Sequence, residues 1–509
     1  MKMRWLSFAT LLCIGAWWFA PRSRGNPADD MPGDASRELL FAPVRIDGPV
    51  HDPAKHTYWW GPFAECSSIL DINGDGLPDV AAGRNYYLAP KWTRYADYRE
   101  GAATNGPDVD DNFEGTMDVN NDGRADVISS GWMLRQGIWW YENPGKVGQK
   151  WADHQILAAD GLEGMVIGNL SGNGPKDVLV NFFARKPGRG LIWYEHLDHA
   201  PWFKEHSLGP EGVGVSHGNG IGDINGDGRM DVVTTSGWFE APARPTEDPW
   251  IWHADWQWQA FVPPGMAPAD PPAGVKVAAP AAGRGRGAGG AAGSGAGLPI
   301  LIADVNGDGL NDVILGSDHG YGLAWLEQKT VNGQRTFVKH WIETEYPTLH
   351  TMVLGDLFGD GKLELITGKQ IFAHNGLDIG SYDPQFIFYY TFSGGNVQRH
   401  VITYTPVAQY FPPYDDPMNS RQPPPTNVIG LGMRVNAADM DGDGKVDIIA
   451  ACKTGLYILF NKGVVSHQRG RPSSSYLPPR EAYPGSINWE TGGRPGATVQ
   501  TPPPGQKKQ

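Results

Sequence analysis

Cysteine is nearly absent from this chain of 509 residues: Cys13 sits in the N-terminal segment, and only Cys66 and Cys452 follow it. No Cys-x-x-Cys pair exists, which excludes cysteine-based zinc and iron–sulfur sites. A Gly-x-Ser-x-Gly elbow and a phosphate-binding loop are also missing, so the usual hydrolase and nucleotide chemistries have no anchor. Basic residues are outnumbered, 42 Lys and Arg against 56 Asp and Glu for a net charge of −14. That balance speaks against nucleic acid, for which a basic face is needed. Long apolar runs are lacking as well. The one candidate, Trp5 to Ala20, is short of the ~20 residues of a membrane span. With Lys2 and Arg4 before it, it reads as a signal peptide within residues 1–25, an uncleaved anchor being the alternative, and the chain is expected to be exported to the periplasm, cell envelope or extracellular space.

What the chain has in quantity is one acidic nine-residue loop. Intact copies carry Asp71, Asn73, Asp75 and Asp79; Asp118, Asn120, Asp122 and Asp126; Asp223, Asn225, Asp227 and Asp231; Asp304, Asn306, Asp308 and Asp312; and Asp439, Asp441, Asp443 and Asp447. Worn copies begin at Asn169 and Asp356. Oxygen side chains at positions one, three, five and nine, with glycine at six for the turn, are what a hard cation such as Ca²⁺ requires. An EF-hand would need a Glu at position twelve, where Ala82 and Ser129 stand instead. The five intact loops hold 16 Asp, which accounts for much of the acidic balance. Phe358 and Glu364 spoil the sixth loop, and Asn169, Ser171 and Asn173 leave the third with little charge, so neither is expected to hold metal well.

Leading residues 71, 118, 169 and 223 are 47, 51 and 54 apart, and 304 to 356 is 52. A period near 50 is one four-stranded propeller blade. Each loop is followed by a β-type run such as Asp126-Val-Ile-Ser. A third strand reads off at Gly137–Glu142, Gly190–Glu195, Gly322–Glu327 and Gly455–Phe460, and a fourth at Trp151–Ile156, Trp202–His206 and Val338–Ile342. The last blade is short of a fourth strand, and the run Phe41–Asp47 is expected to supply it beside 455–461. The 81-residue gap after Asp223 contains a Pro/Ala/Gly-rich stretch, 263–297, whose composition predicts disorder, as does that of the tail 469–509. The many Trp of the third strands are expected to pack between blades. Cys66 and Cys452 open the first and close the last repeat, so a disulfide across the closure and two buried free thiols both stay open.

On these loops and this period, over about residues 40–465, the chain resembles FG-GAP/VCBS repeat proteins, whose calcium loops also occur in the integrin α-chain propeller. The resemblance implies an all-β, seven-bladed β-propeller with Ca²⁺ in about five hairpins.

Six residues before each loop stand Glu65, Asn112, Glu163, His217, Leu298, His350 and Met433. About six strand residues span ~20 Å, so these gather at the channel mouth on the face opposite the Asp loops, which is the expected functional surface. His217, His350 and Glu163 are candidate acid–base groups or Zn²⁺ ligands there. His154, His206, His340 and His400 recur in fourth strands and read as structural, while His374 lies in an irregular insertion that could reach the mouth. Two functions fit. The first is a monomeric, calcium-stabilised recognition module for a glycan or protein. The second is a carbohydrate-active lyase or dehydratase, since the propeller also resembles that of aldos-2-ulose dehydratase, although the cupin domains of that enzyme have no counterpart here.

Overall fold

The structure is a computed structural model, described for residues 37–48, 64–100, 104–105, 108–109, 113–131, 135–159, 162–174, 176–182, 190–215, 217–263, 295–371, 384–405 and 428–466. The expected signal segment, the tail 469–509, Asn112 and His374 lie outside these residues. Among the described residues there is no helix. The strands form seven four-stranded antiparallel sheets and one two-stranded ribbon, a seven-bladed β-propeller.

Blade 1 holds Ser68–Leu70, Asp79–Ala82, Asn85–Leu88 and Thr93–Tyr95. Blade 2 holds Phe113–Met117, Asp126–Gly131, Gly137–Glu142 and Ala152–Leu157, and blade 3 Leu162–Gly168, Asp177–Phe182, Leu191–His196 and Phe203–Leu208. Blade 4 runs through Asn219–Gly222, Asp231–Thr234, Gly237–Glu240 and Ile251–His253. Blade 5 contains Leu301–Ala303, Asp312–Gly316, Tyr321–Val331 and Gln334–Pro347, and blade 6 Thr351–Gly355, Glu364–Gly368, Gln385–Ser393 and Asn396–Thr405. Blade 7 has Val435–Ala438, Asp447–Cys452 and Gly455–Ser466. Second strands such as Asp126–Gly131 and Asp447–Cys452 are buried along their whole length. Each is covered by a blade on either side, which is why these runs are buried on both faces rather than in alternation. Fourth strands such as Ala152–Leu157 are mostly exposed.

The core falls into seven clusters, one at each contact between neighbouring blades. Cys66 and Cys452 are free, buried thiols in different clusters, so the disulfide alternative is not realised. The ring closes as expected. Arg37–Asp47 pairs antiparallel with Gly455–Ser466, setting Phe41 opposite Asn461 and Asp47 opposite Leu456. Leu39 donates its N–H to the Tyr389 hydroxyl of blade 6 at 3.3 Å, and the Tyr87 hydroxyl of blade 1 donates to Asp47 Oδ2 at 2.7 Å. The closing strand is therefore tied to three blades.

Side chains in or just past the third strands of blades 2, 3, 5 and 7 latch each of these to the blade before it. Asn143 Nδ2 donates to the Ile72 carbonyl at 3.4 Å, His196 Nε2 to Val119 at 2.7 Å, Gln328 Nε2 to Ile224 at 3.1 Å and Asn461 Nδ2 to Leu357 at 2.9 Å. Every acceptor is position two of the preceding Asp loop. Asn461→Ala leaves the buried Leu357 and Val446 carbonyls without this donor, a loss of about 1–3 kcal/mol that urea titration will read. Deleting residues 38–48 bares the edge of blade 7 and is expected to abolish soluble expression; a soluble, cooperatively melting deletion mutant would refute the closure.

Candidate functional site

In each intact loop the leading carboxylate is a hub. Asp71 Oδ1 accepts the N–H groups of Gly74 and Asp75 at 2.8 and 3.2 Å, and Oδ2 accepts that of Gly76 at 2.8 Å. Asp223, Asp304 and Asp439 repeat the pattern, and Asp118 repeats two of its bonds. Gly74 and Gly76 hold φ of 75° and 85°, which explains glycine at both turn positions. The side chains at positions one, three, five and nine offer oxygen donors. In blade 7, oxygens of Asp439, Asp441 and Asp447 lie within 4.8 Å of one another. This donor set fits a hard cation. Three of the five intact loops carry a cation at position seven, and Arg124, Arg229 and Lys445 pair with Asp122, Asp227 and Asp443.

The position-nine carboxylate is buried in every loop. Asp79 Oδ2 accepts the Ile72 N–H at 2.9 Å and Oδ1 that of Ala89, past the third strand, at 2.7 Å. Burial pushes Asp79, Asp126 and Asp447 up to about 6 and Asp231 and Asp312 up to about 7, the other loop carboxylates adding to the rise and the two N–H groups opposing it. The worn loops keep part of this frame. Glu364 accepts the Leu357 N–H at 2.9 Å, while Phe358 packs on Tyr389 and supplies no donor. In the third loop Asn169 accepts from Gly172, and Ser171 donates to Asn173.

The Trp of the third strands have a partner within their own blade rather than only between blades. Trp140, Trp193, Trp238 and Trp325 stack on the directly opposite His154, His206, His253 and His340, with centroids 4.2–4.7 Å apart. Each His Nε2 also meets the Glu two residues past the Trp, on the same strand face: Glu142, Glu195, Glu240 or Glu327, at 3.1, 2.8, 2.8 and 2.8 Å. The fourth-strand histidines are thus structural, as expected. Two of the Glu reach further. Asn120 Nδ2 donates to Glu142 Oε1 and Asn306 Nδ2 to Glu327 Oε1, both at 3.0 Å, turning each Asn carbonyl oxygen toward its loop. Blade 6 substitutes Tyr389 and Thr391 around His400.

One of these sets opens into a cleft of about 460 Å³ on the Asp-loop side, between blades 2 and 3. Trp140, Tyr194, Trp202 and Phe203 give it aromatic walls, and Asn120, Glu142, His154 and Gln155 its polar groups. Sequence reasoning placed only the Ca²⁺ loops on this side and missed the cleft, because it is made by elements of two blades.

The opposite face differs from the expected wet mouth. His217 and His350 do converge, their rings 4.9 Å apart, but both are buried, as are Glu65, Leu298 and Met433. The cause is the segment leading into blade 5. The N–H groups of Ala296 and Leu298 donate to the His217 and His350 carbonyls at 3.0 and 2.8 Å, closing blade 4 onto blade 6. Gly295 and Gly297 permit this, since a Cβ at either would collide with the Asp318 carboxylate or the His350 carbonyl. These residues end the stretch expected to be disordered. Glu163 lies at an irregularity in the innermost pairing of blade 3, between Leu162 and Gly164, and its side chain is outside the described residues. A further histidine joins the pair: His319, from the turn between the second and third strands of blade 5, has its ring centroid 5.7 Å from that of His217 and 5.3 Å from that of His350. Counting forward from the Asp loops to that turn, rather than back, would have found it. Nearby, Lys453 pairs with Glu65 at 3.2 Å.

A family model described as FG-GAP-like repeat matches residues 118–180 and 304–367. The chain therefore carries FG-GAP-like repeats on a seven-bladed propeller. No curated protein matches it. Among solved structures it is similar to an Agrocybe aegerita lectin that recognises non-reducing terminal N-acetylglucosamine, at 16% identity over 74% of this chain and 93% of that one, TM-score 0.39. It is also similar to the exotype rhamnogalacturonan lyase YesX, at 10% identity over 84% and 76%, TM-score 0.42. A third is the V. cholerae biofilm matrix protein Bap1, at 13% identity over 86% and 84%, TM-score 0.30.

Burial pushes the His400 imidazole below its ordinary 6.5, with Glu38 of the closing strand pulling the other way. A lowered folded value means the unfolded chain binds the proton first. Stability from this site is therefore whole above about pH 6.5 and is lost as pH falls below it. His400→Phe, which keeps an aromatic ring against Tyr389, should flatten the fall in melting temperature between pH 7 and 5. An unchanged pH profile would show that His400 does not contribute.

Proposed function

We propose that this protein is an exported, calcium-stabilised recognition module that binds a glycan in the cleft between blades 2 and 3. The carrying observation is the composition of that cleft. Its volume falls within the roughly 300–1,000 Å³ of small-molecule sites. Aromatic faces take up the apolar C–H faces of a sugar ring, and Glu142, His154 and Gln155 offer hydrogen bonds to its hydroxyls. Ca²⁺ would be held by the oxygens of the five intact loops, where it neutralises carboxylates that repel one another. In blade 2 the two sites are joined, because Asn120 belongs to the loop and contacts Glu142 of the cleft. A lyase or dehydratase would need an accessible acid–base pair at the channel mouth. His350 is fully buried and His217 4% exposed, so the geometry favours recognition.

Chelation is expected to lower the melting temperature strongly, and Asp75→Ala and Asp308→Ala each to reproduce part of that loss, whereas changes at Phe358 or Ser171 should not. If chelator leaves melting unaltered, the loops are only turns. On a glycan array, Trp202→Ala should weaken binding about tenfold or more, the scale of an aromatic anchor, in a protein that still melts cooperatively. Glycan binding that survives this substitution at full strength would place the site elsewhere.

A further inference from the structure

The geometry points to a second metal site of different chemistry: we propose that His217, His319 and His350 bind one transition-metal ion, Zn²⁺ in the first instance, on the face opposite the Asp loops. One ring nitrogen from each histidine lies within 4.8 Å of the other two. Three imidazoles around a tetrahedral zinc, with bonds of about 2.0–2.1 Å, stand roughly 3.3 Å apart. Side-chain rotations of about an ångström therefore close the site.

The surroundings already orient the ligands. His217 Nδ1 lies 2.6 Å from the Ala296 carbonyl oxygen. A carbonyl only accepts, so Nδ1 carries the proton and the lone pair resides on Nε2. The Asp318 carboxylate is 3.4 Å from the same Nδ1, and its other oxygen accepts the His319 N–H at 2.7 Å. A ligating histidine whose second nitrogen donates to a carbonyl and a carboxylate is the usual outer shell of a zinc site. Asp318 is itself buried, and a buried carboxylate needs a positive charge nearby, which a divalent ion supplies. His350 is fixed from behind by its carbonyl's bond to Leu298.

Nitrogen donors separate this site from the loops. Imidazole suits Zn²⁺, Cu²⁺ and Ni²⁺, whereas Ca²⁺ takes oxygen. Three protein ligands leave a fourth position, and His319 is the partly exposed member of the set, so that position faces the solvent side. Zn²⁺ there would hold water or a ligand's oxygen.

The test uses the full chain, stripped with chelator, refilled with excess Ca²⁺ and titrated with Co²⁺ as a visible probe, then with Zn²⁺. One equivalent of Co²⁺ is expected to bind with the d–d absorption of a four-coordinate nitrogen-rich site, to be displaced by Zn²⁺ and to resist Ca²⁺. His319→Ala should lower the affinity at least tenfold, and Asp318→Asn about tenfold, the range for outer-shell changes. His199→Ala, at an exposed histidine outside both sites, should leave the Co²⁺ affinity unchanged. If His217→Ala or His350→Ala fails to fold, the His319 variant, altered in a turn, still decides. Absence of a Ca²⁺-resistant equivalent, or a His319→Ala protein that binds Co²⁺ as the unaltered chain does, overturns the site.

Discussion

The buried carboxylate at position nine of each loop is the interaction on which the rest of the structure depends. It sits at the start of the second strand, accepts the N–H of loop position two (position three in blade 3) and, in six blades, that of a residue in or just past the third strand. Three chain segments are held by one side chain. The same residue that gives its N–H, at Asn143, His196, Gln328 and Asn461, sends its side chain to the preceding blade. A local turn is thereby converted into a contact between repeats. Away from the central channel each repeat packs on its two neighbours, as in other repeat proteins, so the ring has two loose ends until the N-terminal strand completes blade 7. Burying a charge this way is costly unless it is paired, and in the loops the pairing falls to N–H groups and, on our reading, to a cation.

The two faces differ in donor chemistry for a topological reason. The Asp-loop face is built from the repeated part of each blade and therefore offers the same oxygens many times. The opposite face collects the approaches to innermost strands and the turns between second and third strands, where the repeats have diverged. Only there do histidines from blades 4, 5 and 6 meet. Gly295 and Gly297 allow that meeting, because side chains at these positions would hold blades 4 and 6 apart.

Much of this was legible from the residues. The nine-residue pattern with its period located the blades, the incomplete last repeat pointed to Phe41–Asp47, and His154, His206, His340 and His400 were recognisable by recurrence as structural. What stayed hidden depends on side chains from different repeats. Counting back from each loop brought out His217 and His350 but assumed an open mouth, and the threading of 295–300 between blades 4 and 6 buries it. His319 escaped because it belongs to another kind of turn. Three of the four latch residues, Asn143, His196 and Gln328, directly follow a Trp-x-Glu run, yet nothing in their own repeat shows what they touch. The cleft walls come from two blades and have no signature in one.

The blades that share the motif lining this cleft differ in what covers it. Blades 2 to 5 share the stacked Trp and His with the Glu beside them, so each could in principle line a pocket against the next blade. What differs is the cover. Trp193 is met by Trp250 of blade 4, with centroids 6.3 Å apart, and Trp238 by the guanidinium of Arg335 from blade 5, 5.0 Å from its ring. Trp325 and Asn306 are approached by the Gly394-Gly395 turn of blade 6, close enough that a Cβ on Gly395 would lie 3.8 Å from Asn306. Over Trp140 the next blade contributes Tyr194 and the bend at Pro201–Phe203, which stand back to leave the cleft. The repeat builds the wall of the pocket, and divergence in the neighbouring hairpin decides whether it is filled or open.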